Sequence, residues 1–151
     1  MDGIASEFIG EVRVAVGPPQ VIGAGPKGER RIIPILAGTI QGPRLNGEVL
    51  PGGADTQLIR TDGVAEIVAR YTLQLGDGAL VHVVNRGLRS AAPEDMARLL
   101  RGEPVPPERV YFRTTPAFET AAPQHAWLMR RIFLGFGQRF PDAVAIRIHA
   151  V

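Results

Sequence analysis

Two stretches hold most of the side chains that could do chemistry, Gly42 to Asp55 and Tyr111 to Thr120. The first sets Arg44 and Asp55 among glycines and prolines; the second sets Phe112, Arg113 and Glu119 around Pro116. Such residues fix bends at which a β scaffold can turn charged groups toward a cavity. A carboxylate placed among Tyr71, Phe112, Phe118 and Trp127 would have its pKa raised by desolvation, and such a group moves protons near neutral pH. Asp55 and Glu119 are therefore the candidate catalytic residues. Arg44, Arg70 and Arg113 are candidates for holding an anionic or enolate oxygen. Glu66 and Arg70 share one strand face about 13 Å apart and could flank one ligand, and Tyr71, Phe112 and Trp127 supply aromatic walls. The plainer reading makes the aromatics core and the charges internal ion pairs that fix strand register.

Composition removes several other chemistries. The chain has no cysteine, hence no disulfide, no thiolate nucleophile and no sulfur-ligated metal, and the default compartment is the cytoplasm. His82, His125 and His149 lie far apart without carboxylate companions, so no metal site is expected. Ser6 and Ser90 are the only serines, and neither sits in a nucleophile elbow. Seventeen basic residues face fifteen acidic ones, and the basic charge is scattered rather than gathered into a stripe, which argues against nucleic acid as a partner. Lys27 is the single lysine and lies in a turn-like Gly-Pro-Lys-Gly, a poor setting for Schiff-base chemistry. Gly23 to Gly28 spells G-x-G-x-x-G, but a β-like stretch follows it rather than a helix, so a hairpin turn is expected and no dinucleotide cofactor. No segment is long and apolar enough to span a bilayer, and Met1 to Glu11 carries three acids, unlike a secretory leader.

The elements that must position these residues read as strands and turns. Glu11 to Val16 alternates, and Pro18-Pro19 ends it. Gln20 to Gly23 and Glu29 to Gln41 read as strands joined by a turn, with Pro34 demoting the second to an edge or bulged strand. The clearest element is the hairpin of Val64 to Leu75 and Ala79 to Arg89 around Gly76-Asp77-Gly78. On its first arm Ala65, Ile67, Ala69, Tyr71 and Leu73 share one face, and on its second Val81, Val83 and Asn85 do. Pro93 to Arg101 reads as the one helix, opening on proline and acids and closing on Arg98, Arg101 and Gly102, and is expected to lid or plug a barrel end. Trp127 to Phe136 fits both periods, with a strand favoured. Ala143 to Val151 alternates again. At 151 residues the chain is long enough for one domain that buries about two thirds of its unfolded surface. Eight or more strands and one helix predict an all-β antiparallel barrel over 1–151.

Gly42-Pro43-Arg44-Leu45, Pro51-Gly52-Gly53-Ala54-Asp55, Asp62-Gly63, Arg70-Tyr71-Thr72-Leu73, Asp77-Gly78, Tyr111-Phe112-Arg113, Phe118-Glu119 and Trp127-Leu128 occur in an order that resembles the domain of unknown function 3237 family across nearly the whole chain. The resemblance implies a lipocalin-like barrel without an assigned role. Two positions depart from the family pattern, Thr56 in place of an aromatic and His125 in place of a tyrosine-like residue, and both are expected to retune a pocket, which adds His125 to the binding set.

The expected function is binding of a small aromatic or carbonyl-containing metabolite, with cofactor-free isomerase, cyclase or lyase chemistry. The alternatives are a non-catalytic carrier or sensor of an apolar ligand, or a filled, oligomerising structural barrel. Strand edges near Pro34 or the chain ends are where a homodimer would pair.

Overall fold

The computed structural model describes residues 3–151; the two residues before them, part of the segment read above against a leader, lie outside it. Ten strands form one sheet: β1 Glu7–Val16, β2 Gln20–Gly25, β3 Gly28–Gln41, β4 Gly47–Val49, β5 Gly53–Ile59, β6 Ala65–Leu75, β7 Leu80–Ser90, β8 Tyr111–Glu119, β9 Phe133–Arg139 and β10 Ala143–Ala150. The order β1-β10-β9-β8-β7-β6 continues through β4 and β5 to β3, and β3 pairs back to β1, so the antiparallel sheet closes into a barrel.

Two staves of this barrel are interrupted strands. β4 and β5 both lie between β3 and β6, broken by the Leu50–Gly52 turn. β1 and β2 both pair antiparallel with β3, broken at Gly17–Pro19. That second break explains Pro34. Opposite it no continuous strand asks for an N–H, and the Pro34 carbonyl instead accepts from Gly17 N at 2.9 Å. β3 is thus an interior strand with an irregular register near Ile35, rather than an edge; the free edge belongs to β2.

The β6–β7 hairpin forms as its alternation dictates. Gly78 takes φ +88° at the turn, and Asp77 Oδ1 accepts from Ala79 N at 3.0 Å. Pro26 and Lys27 make the two-residue turn between β2 and β3, with no helix there.

One helix, α1 Pro93–Leu100, follows β7. It does not plug the barrel. Met96 and Leu99 form a small satellite core with Ala65 and Val105 at the rim. The plug is the 3-10 helix Pro123–Met129, whose Leu128 is buried with Phe118 and Phe133. Trp127 to Phe136 therefore divides, helical through Met129 and a strand only from Phe133, because the apolar period changes where the chain drops into the barrel end. The two ends lie about 33 Å apart along β6, from Ala65 near α1 to Leu75 near the plug.

Among the described residues no helix is long and apolar enough to cross a membrane.

Candidate functional site

Barrel register decides which polar side chains meet. One rung across the sheet carries Arg31, Gln57, Ile67, Gly87 and Thr114; the next carries Ile33, Asp55, Ala69 and Asn85. Small residues, Ala69 and Gly87, sit in these rungs where Leu73, Val81 and Val83 fill the barrel farther on. Gly135 and Gly137 of β9 do the same on the far wall. A Cβ on Gly135 would fall 2.1 Å from Thr114 Oγ1, and one on Gly137 would fall 2.6 Å from the Phe112 ring.

The result is an interior cavity of about 50 Å³. Val12, Val14, Ile35, Ile67 and Ile146 give it apolar walls, and Asp55, Gln57, Asn85, Arg89, Thr114 and Arg139 line it with polar groups. Asp55 is the one acidic residue among its lining. Val16 and Arg139 also border a groove of about 330 Å³ outside, walled by Gly17–Pro19, Arg31, the Leu100–Gly102 end of α1, Pro141 and Asp142.

Among the described residues five buried side-chain atoms have no hydrogen-bond partner: Asp55 Oδ1, Gln57 Oε1, Asn85 Oδ1, Arg89 Nε and Thr114 Oγ1. All five belong to residues of this one cavity. Buried polar atoms are normally satisfied, so this cluster calls for partners that the neighbouring side chains do not supply, water or a ligand. Asp55 Oδ2 accepts from Gln57 Nε2 at 2.8 Å. Burial pushes the Asp55 carboxyl above its ordinary 3.8; the Gln57 amide and the charges of Arg89 and Arg139 pull the other way without prevailing. Burial, with the like charge of Arg139, draws Arg89 down to about 10. Tyr71 is raised by burial alone. Asp95, on α1, shows the contrast: it is buried too, but Arg98 and Arg109 bind it at 2.8 and 2.7 Å.

The sequence-predicted residues separate into three places. Asp55, Tyr71 and Phe112 line the cavity. Glu119 and Arg113 stand on the outer face of β8, because strict alternation turns Phe112, Thr114, Pro116 and Phe118 inward and their neighbours out. Arg113 there lies over the Tyr111 and Phe136 rings. Glu66 and Arg70 are likewise on the outer face of β6, where Glu66 pairs with Arg60 at 3.5 Å, so they do not flank an interior ligand.

Arg44, His125 and Trp127 gather at the plugged end. The Arg44 guanidinium sits 4.0 Å from the Trp127 ring and 3.2 Å from Glu7, and His125 Nε2 is 2.7 Å from Asp77 Oδ2. Neither His125 nor Thr56 lines the cavity, so the expectation that they retune it is corrected; Thr56 alternates to the face opposite Asp55.

Gln57, Asn85, Arg89, Thr114, Arg31 and Arg139 were missed. The signal for two of them was present, since the inward face Val81, Val83, Asn85 continues through Gly87 to Arg89. Arg31 and Arg139 carried none, as their meeting depends on which strands close the barrel. Among the described residues no group of three or more His, Asp or Glu side chains is placed to hold a metal ion.

The family model described as "Protein of unknown function (DUF3237)" matches residues 4–151. The chain belongs to that family. A UPF0311 protein of Rhodopseudomonas palustris is 41% identical over 148 residues, 98% of this chain and 97% of the other. The crystal structure of a conserved protein of unknown function from the same species is 40% identical, covers 99% of both chains and superposes with a TM-score of 0.96. A beta-barrel like protein of Acinetobacter baumannii is 33% identical over 99% of this chain and 98% of its own, with a TM-score of 0.80. An enzyme of Penicillium herquei, 20% identical over 95% and 93% of the two chains with a TM-score of 0.69, shares the fold. The barrel is thus the fold of this family.

Proposed function

We propose that the barrel binds a small carbonyl-containing metabolite and rearranges it by cofactor-free acid–base chemistry of the isomerase, cyclase or lyase type, with Asp55 as the proton carrier. The supporting observation is the position of Asp55: it is the single acid of an apolar-walled cavity, has one unpartnered oxygen, and has a pKa raised by desolvation. In the reaction class favoured here, Asp55 takes a proton from the carbon between a carbonyl and a C=C double bond, the electron pair delocalises onto the carbonyl oxygen, and the same acid returns the proton at the far carbon of that double bond as the carbonyl re-forms and the double bond shifts into conjugation. Asn85 and Tyr71 face the same space as neutral donors for that oxygen.

The cavity's size narrows the reading. At about 50 Å³ it is a third of the roughly 150 Å³ that accommodates benzene. A carbonyl-bearing end of a few atoms fits inside, with any aromatic part left in the outer groove, whose volume is in the range of ordinary ligand sites. We place this chemistry in the cytoplasm, in keeping with the cysteine-free composition. A second copy of the chain would find its pairing edge on β2, whose outer side has no strand partner among the described residues.

The test needs no prior substrate. A panel of small ketones, aldehydes and keto acids is incubated with the protein in D2O and followed by proton NMR for loss of signal beside the carbonyl. The expected result is exchange with the wild type on at least one member and none with Asp55→Asn. Binding without exchange supports the carrier or sensor instead, and neither binding nor exchange supports a structural barrel.

A further inference from the structure

The arginines of this protein are paired in the wrong order for simple stability. Arg44, Arg60, Arg98, Arg101, Arg109 and Arg147, all substantially exposed, each have a carboxylate partner. Arg31 and Arg89 are 7% and 2% exposed and Arg139 is half-buried, yet among the described residues none of the three forms a salt bridge. Guanidinium groups taken out of water with fewer counter-charges than their number cost several kcal/mol, so sequences seldom retain them for packing alone. Three of them stand where the cavity and the groove come together, at the shared wall of Val16 and Arg139. Arg89 lines the cavity, Arg31 the groove, and Arg139 both. They are close enough that Arg31 and Arg139 each lower the pKa of Arg89.

We infer that this site takes an anionic substrate, a small organic carboxylate, whose charged group is held by Arg31, Arg89 and Arg139 at the cavity mouth while its carbonyl end reaches Asp55. The inference rests on the acid–base reading of the same cavity and adds the charge class of the substrate.

Local charge favours one carboxylate over a phosphate. The acids that face the three guanidinium groups are Asp55 from inside and Asp142 from the groove, which leaves one positive charge uncompensated. A monoanion completes that balance; a dianion exceeds it. The Leu100–Gly102 end of α1 borders the groove, and this is the carbonyl end of the helix, a pole that repels excess negative charge. Guanidinium groups also match a planar carboxylate by paired N–H donors. Arg89 Nε, orphaned and inside, is the donor best placed to report on such a group. Arg101 at the groove's rim is already engaged by Glu103 and is not needed.

The experiment follows the arginine Nε–H resonances of the wild type by nitrogen-15 NMR while propionate, pyruvate and benzoate are titrated in. Propionamide, benzamide and inorganic phosphate serve as comparisons. The expected result is a saturable shift of the Arg89 signal with carboxylates and none with the matching amides, and weaker binding of phosphate than of the best carboxylate. Arg89→Gln and, separately, Arg31→Gln each weaken the best carboxylate about tenfold or more, with thermal melting confirming that each variant folds. Equal response to amide and carboxylate, or no carboxylate response, overturns the inference on the wild type alone; tighter phosphate binding replaces the carboxylate with a phosphate. Asp55→Asn separates the two readings. It retains or tightens carboxylate binding if charge recognition is right, whereas loss of deuterium exchange in that variant belongs to the acid–base reading; carboxylate binding without any wild-type exchange sinks that reading and leaves this one standing.

Discussion

The two ends of this barrel solve opposite problems with the same strands. At the plugged end Ile9, Leu45, Leu73, Phe118, Leu128 and Phe133 are almost wholly buried, Phe118 and Phe133 meet edge to face with centroids 4.9 Å apart, and Trp127 caps the stack. At the α1 end the inward positions of the same staves hold Asp55, Gln57, Asn85, Arg89 and Thr114, each with an unpartnered atom. A barrel needs only one end packed to hold its register. The other is free to carry groups that folding alone would reject, and that difference marks the candidate site.

Mutation should separate the ends. Phe133→Ala at the plug removes a ring packed on two aromatics and is expected to cost about 3–5 kcal/mol in urea unfolding with the m-value unchanged. A much smaller loss would mean that the plug is not the stabilising end. Gly137→Ala drives a methyl toward the Phe112 ring, and overpacking of this kind costs about 1–3 kcal/mol. Because Phe112 lines the cavity, the same substitution should weaken ligand binding, whereas Phe133→Ala should change affinity little in the protein that remains folded.

pH sharpens the comparison further. The folded-state pKa of Asp55 lies above the ordinary 3.8, so its contribution is most favourable below that value and is lost as pH rises through the folded pKa. The stability of Asp55→Asn relative to wild type should therefore improve with rising pH and level off in acid, as measured by melting across a pH series; a flat difference would show that Asp55 is not desolvated. Asp77 at the plugged end behaves in the reverse sense and more weakly. The Ala79 amide, then Gln124 and His125, hold its pKa down to about 2, so its stabilisation is present above 3.8 and lost as pH falls through about 2. Asp77→Asn should lower the melting temperature slightly at neutral pH and not at all in strong acid.

Much of the fold was legible because period and turn chemistry are local. Ala65 to Leu75 and Leu80 to Ser90 had to be a hairpin once Asp77-Gly78 stood between two alternating runs, and Tyr71 had to share a face with Ala69 and Ile67. The same rule, applied to Tyr111–Glu119, would have separated Phe112 from Arg113 and Glu119. Grouping charges by their nearness to glycines and prolines overrode it, and placed outer-face residues in the site.

Local pattern was enough to show that this chain is an antiparallel β protein, where its best hairpin and its helix lie, and that Tyr71 shares a strand face with Ala69 and Ile67. Closure of the barrel was needed to show that β1 pairs with both β3 and β10, which end is plugged, and that Arg89 and Arg139, from two different strands, converge beside Asp55 with Arg31 in the adjoining groove. Alternation is a property of neighbouring residues and can be read along the chain. Convergence is set by how the closed sheet staggers its strands, which depends on every pairing around the barrel at once.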